Sequence, residues 1–275
     1  MTARVAGAAL AVGAAVTLSA AAPALAQPQA PSDQATVSVL HGVPGLTVDV
    51  YAGDKELIPD FKPGTLTDPM ELDAGSYDIK LFKDGEGPDG TPAVEKTVEV
   101  PAGANATLVA HLTADGEPAL DAFVNDTSKV PAGQARLTVR HVAAAPAVDV
   151  RADGTPVFKG LENPKEAKGE VPAGTVSADV VLAGTGTVAI GPAELNLAEG
   201  SNTVVYAWGS AQDKNLALKT QTLTGMHSAP SGVPAGESGQ AAAHNEGLPL
   251  GALSLGAVSA LAAAGLLIRL RASAR

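Results

Sequence analysis

The sequence predicts an all-β chain, and three observations carry that expectation. Apolar and polar residues alternate with a period of two in the clearest segments. Turn dipeptides such as Pro44-Gly45, Asp84-Gly85, Asp89-Gly90, Asp115-Gly116 and Asp153-Gly154 recur between them. No amphipathic helical pattern stands out between residues 27 and 247. Composition agrees: 30 Gly, 20 Pro and only 8 aromatic residues among 275 imply a core of Val, Leu, Ile and Ala cut by many turns. The chain has no Cys, so neither disulfides nor thiol chemistry contribute.

Taken in order, the chain opens with Arg4, an apolar run and Ala24-Leu25-Ala26, the pattern of a secretory signal peptide over residues 1–26 with Gln27 as the first mature residue. A short linker, 27–35, leads to a first β-sandwich repeat at 36–124. Its strands are read from Val37, Val39 and His41, from Val48 and Val50, and from Tyr77, Ile79 and Leu81. A polar linker follows at 125–134. A second repeat occupies 135–224, where Leu137, Val139 and His141 alternate with Thr138 and Arg140. Residues 225–247 lack apolar periodicity and read as a disordered stalk. Residues 248–268 are 21 residues without a charge, about 31 Å as a helix, which matches a bilayer core. Arg269, Arg271 and Arg275 then form a basic tail, 269–275, expected to stay cytoplasmic. Leu248-Pro249-Leu250-Gly251 approaches a sortase signal but lacks its Thr, which favours a retained membrane anchor over sorting to the cell wall.

The repeat is the strongest internal signal. HGVPGLTVDV at 41–50 returns as HVAAAPAVDV at 141–150. LDAGSYDIKL at 72–81 answers VPAGTVSADV at 171–180, and PAGANATLVAH at 101–111 answers AEGSNTVVYAW at 198–208. Matches in the same order at a nearly constant offset indicate two copies of one domain, each large enough to fold alone. Seven or eight strands per copy suggest two tandem immunoglobulin-like or prealbumin-like β-sandwich domains, followed by the C-terminal transmembrane helix. Within the repeated decamer, Val48 and Val50 are expected to face the core and Asp49 water, with Val148, Asp149 and Val150 alike. On that reading Asp49→Asn costs about 0.5 kcal/mol or less. The sharper alternative buries Asp49 and Asp149, either to accept backbone N–H groups of a neighbouring loop or to hold a metal.

A strand ending in His, a Pro-containing loop, then VDVY (48–51) or VDVR (148–151) with a Gly turn, and later DAGSYDIKLF (73–82), resembles a bacterial family known as domain of unknown function 4397. The resemblance covers roughly residues 36–223; the second copy departs from it with Arg151 where the first has Tyr51. It implies a secreted or surface-anchored protein with tandem copies, and it implies no activity.

Chemistry-bearing patterns are sparse. His41 and His141 repeat, His111 aligns with Trp208, and His227 and His244 lie in the expected stalk; none has zinc-ligand spacing. The loop 84–90, DGEGPDG, offers three carboxylates to calcium without matching an EF-hand, and the second copy reads VLAGTGT there. Gly-x-Ser-x-Gly is absent, and no carboxylate pair stands out as a glycosidase dyad. The sequence therefore assigns no catalytic, cofactor-binding or metal-ligating residue and calls for no cofactor. Copy one carries 5 basic and 16 acidic residues, net −11, and copy two 8 and 9, net −1; such an acidic ectodomain disfavours nucleic acid. The expectation is a non-catalytic cell-surface module, on the outer side of the membrane or in the cell wall, that binds an envelope or extracellular ligand or acts as a spacer. The alternative is a calcium- or ligand-binding accessory protein of an envelope enzyme.

Overall fold

The computed structural model describes residues 33–228, and every regular element among them is a strand. The first copy contains β1 (Gln34–His41), β2 (Val48–Ala52), β3 (Lys55–Phe61), β4 (Met70–Asp73), β5 (Gly75–Lys83), β6 (Val94–Val100), β7 (Asn105–Leu112) and β8 (Pro118–Val124). The second contains β9 (Gln134–Ala144), β10 (Val148–Ala152), β11 (Thr155–Leu161), β12 (Glu166–Pro172), β13 (Gly174–Leu182), β14 (Val188–Leu197), β15 (Asn202–Ser210) and β16 (Ala217–Leu223). The expected signal peptide, membrane helix and basic tail, with most of the stalk, lie outside the described residues.

Each copy builds two four-stranded sheets: β4-β1-β7-β8 and β3-β2-β5-β6 in the first, β12-β9-β15-β16 and β11-β10-β13-β14 in the second. The first strand of each copy lies parallel to the seventh, as in Val37↔Ala106 and Leu137↔Thr203. All other strand pairs are antiparallel. Val37, Val39, Leu108 and Leu120 from one sheet meet Val48, Val50, Ile79 and Val98 from the other in a single core. Leu137, Val139 and Val205 meet Val148, Val150, Val180 and Leu195 in the same way. Two sheets sharing one apolar layer, twice over, is an arrangement consistent with tandem β-sandwiches.

The alternation read at 37–41 and 137–141 implies strands buried on one face. The structure differs. β1, β7, β9 and β15 are buried on both faces, because the sheet β4-β1-β7-β8 lays its second face against the sheet β12-β9-β15-β16. Leu40, Val109, Val142, Val204 and Tyr206 form a third cluster there, flanked by Phe123, Trp208 and Leu223. Polar side chains complete the contact. Thr107 donates to Gln221 Oε1 at 3.0 Å, and Tyr206 donates to the same oxygen at 2.7 Å. Arg140 Nη1 donates to Tyr206 Oη at 2.8 Å, its Nε donates to Glu166 at 2.9 Å, and its guanidinium lies 4.5 Å from the Phe123 ring centre.

Candidate functional site: two caged corners

The repeated decamer folds each time into a corner whose polar side chains bind backbone. His41 is fully buried at the end of β1 and stacks on Phe61, ring centres 5.4 Å apart. Its Nε2 donates to the Leu46 carbonyl at 2.6 Å, while Nδ1 accepts the Val43 N–H at 3.4 Å. His141 repeats this with the Pro146 carbonyl at 3.0 Å and the Ala143 N–H at 3.4 Å. One nitrogen donates and the other accepts, so each ring is the neutral Nε2–H tautomer. Burial lowers the pKa of both rings, opposed by the backbone bond; at His141 the nearby His111 lowers it further.

Val48 and Val50 turn inward as the alternation requires, at 0% and 2% exposure, but Asp49 does not face water. It is 8% exposed. Its Oδ1 accepts the Asp60 N–H at 2.9 Å and its Oδ2 the Gly85 N–H at 3.3 Å. Asp149 accepts the N–H groups of Gly160 and Gly184 at 2.8 and 3.3 Å. The expectation of a solvent-facing Asp is thus corrected in favour of the loop cage. The strand pattern could not show this, because the donors lie 11 and 36 residues downstream of Asp49.

Copy one adds two carboxylates to its corner. Oxygens of Asp49, Asp60 and Asp84 lie within 4.8 Å of one another. Asp84 is pushed above the ordinary carboxylate range, by desolvation first and then by Asp60, as charge and hydrogen-bond partner, and by Asp49; Lys62 opposes. Copy two keeps the cage without these partners. Gly160, at φ 62°, replaces Asp60, at φ 47°, a left-handed position where Gly carries no strain. Ala183 replaces Asp84: the Asp84 N–H bonds to the Thr47 carbonyl, and the Ala183 N–H to the Ala147 carbonyl. Of the carboxylates that the sequence marked in the loop 84–90, the cluster takes Asp84 and neither Glu86 nor Asp89. Sequence reasoning missed Asp49 and Asp60 as its neighbours. The signal was the pair of replacements between copies, Asp60 by Gly160 and Asp84 by Ala183. Calcium would want six to eight oxygens, and both oxygens of Asp49 already accept N–H bonds.

The remaining histidines take separate places. His111, fully buried on the second face of β7, reaches the Leu112 carbonyl and Asp121 Oδ2, each at 2.9 Å. Desolvation raises the Asp121 pKa, but the hydrogen bonds and charges of Lys96 and His111 outweigh it and hold the carboxyl below its usual range. At the equivalent position Trp208 packs over Gly64, where an added Cβ would stand 2.9 Å from the indole. His227 sits in an ordered segment rather than in a stalk; His244 lies outside the described residues. Arg151, which takes the place of Tyr51, pairs with Asp179.

The class these features define, among the described residues, is an all-β fold of two repeated four-on-four-strand units, each turned by a His-and-Asp caged corner. Comparison with known families adds one finding: residues 35–151 match the model described as domain of unknown function (DUF4397), a match that runs through copy one and into β10. No curated protein matches the chain.

Proposed function

We propose that the protein is a non-catalytic cell-surface module of the bacterial envelope, carried on a C-terminal membrane helix, whose tandem sandwiches bind a ligand or hold a partner at a distance. One observation carries this reading. The polar residues repeated in both copies, His41 and Asp49 with His141 and Asp149, are committed to backbone and so support shape rather than turnover. The strand order refines the fold. An immunoglobulin constant domain places its first strand beside its second. Here β1 sits between β4 and β7 while β2 belongs to the other sheet, which favours the prealbumin-like alternative. The accessory calcium-binding reading would draw on Asp49, Asp60 and Asp84, but the cage accounts for Asp49, and copy two does without the other two.

The test is fractionation of intact cells after protease shaving. The described residues should be lost to external protease, and the unshaved chain should leave the membrane with detergent and not with muramidase. A chain protected from protease, or found in the cytosol, overturns the proposal. Release by muramidase alone replaces the membrane anchor with a cell-wall one.

A further inference from the structure

We propose that residues 225–228, just past β16, form a mechanical clasp: tension on the chain beyond Ser228 reaches the linker between the copies before it reaches β16. The segment was expected to begin the stalk, yet it is bonded on both sides. Met226 N–H donates to the Gly200 carbonyl at 2.9 Å, and Val130 N–H donates to the Met226 carbonyl at 2.8 Å. Ser228 donates to the Val130 carbonyl twice, from its N–H at 3.2 Å and its Oγ at 2.6 Å. Lys129 Nζ donates to the Gly225 carbonyl at 3.2 Å. Val130 and Met226 are 0% and 2% exposed, so these bonds are shielded from water. The fit depends on Gly200: a Cβ there would stand 2.3 Å from His227 Nδ1.

The linker that receives the clasp is itself tied to both copies. Asn125 Nδ2 donates to Asn105 and Thr107 of copy one. Asp126 pairs with Arg136 and Lys168 of copy two, and Asn202 donates to its carbonyl. These contacts hold the Asp126 carboxyl far below the ordinary carboxylate range; the bond from Ser128 is the largest cause, and Lys168 and Arg136 add to it.

This geometry sets how the fold yields. Without the clasp, tension would meet the terminal pair Leu223↔Asn202 first and peel β16 from β15 one pair at a time. The clasp runs parallel to the linker through the Val130↔His227 bridge, so its hydrogen bonds lie across the chain and are loaded together. The use of this in the cell rests on the tethered reading above; the mechanics do not.

The chain has no Cys, so engineered cysteines can fix the points of pull. The full chain is stretched from Gln34→Cys, with the second handle either at Ala229→Cys, beyond the clasp, or at Asp115→Cys, in the β7–β8 turn and off its load path. Met226→Ala should lower the first rupture force from the 229 handle and leave that from the 115 handle unchanged. Ser228→Ala, which removes one bond, should give a smaller fall from the 229 handle alone and serves if Met226→Ala does not fold. An unchanged force at 229, or equal falls at both handles, overturns the clasp. Failure of the surface reading would leave these forces as they are.

Discussion

Asp49 joins three parts of copy one through two oxygens: β2, the residue before Phe61, and the start of the loop after β5. An amide keeps one acceptor where the carboxylate has two, and a hydrogen bond to a charged group is worth about 1.5–3 kcal/mol. Asp49→Asn is therefore expected to cost about 1–2 kcal/mol rather than the 0.5 or less of an exposed site, with Asp149→Asn close behind. Val48→Asp and Val50→Asp should cost several kcal/mol, because each buries a charge without a partner. Thermal melts of the four variants check the order; a neutral Asp49→Asn would mean that water satisfies the two N–H groups. The inward Val pair was legible as alternation. The role of Asp49 was not, since its donors come from remote loops and a carboxylate on a strand reads as a surface group. The two caging histidines set a pH response. Burial holds their folded pKa values below the 6.5 of the free ring. The unfolded chain therefore takes up protons first as pH falls. Their contribution is fully present above about pH 6.5 and is lost as pH falls below it toward the depressed folded values. The melting temperature should drop as pH falls from about 6.5 toward about 5, and His41→Gln with His141→Gln should flatten that drop. An unchanged slope in the double variant would contradict it.

At the scale of elements, the strands divide by how many faces they bury. β5 alternates at Tyr77, Ile79 and Leu81 and was readable there. β7 and β15 bury almost every residue, including Thr107, His111, Asn202 and Thr203. Their second faces carry hydroxyls and amides, the composition of a solvated surface, and only the opposing sheet turns them into a contact. Arg140 shows why the sequence misleads. It occupies the place of Leu40 in β1, alternates like a surface cation, and is 1% exposed between Phe123, Tyr206 and Glu166. Arg140→Ala leaves a hole and strips Tyr206 and Glu166 of a partner, an expected loss of about 3 kcal/mol. Arg140→Met refills the space but still strips Tyr206 and Glu166 of a partner, so its loss should fall between that of Arg140→Ala and the parent. Chemical denaturation of both variants decides the matter: equal losses would make the charge, rather than the volume, the stabilising feature.

On the scale of the whole molecule, both copies lie within one compact unit. The repeat was plain in the sequence, and from it came the expectation that each copy folds alone. Separate cores agree with that, whereas the third cluster and the pinned linker couple the two. The intact chain should melt in one transition, above either fragment cut within 125–134. Copy one alone, with Leu40, Val109 and Phe123 uncovered, should self-associate. Two resolved transitions in the intact chain, each at the temperature of its own fragment, would show the coupling to be negligible. Nothing in the linker's composition announced its role, because Asp126, Arg136 and Lys168 meet only after folding. The caged corners carry one more implication. Asp49 grips the loop 84–93, which is 10 residues long, and Asp149 grips the loop 183–187, which is 5. One anchor serves both lengths because it holds the start of the loop and ignores the rest. Closure entropy asks only about 0.6 kcal/mol for each doubling of length. A foreign peptide grafted between Glu86 and Pro92 should therefore leave the frame in register, and the molecule becomes a display scaffold with an exchangeable insert.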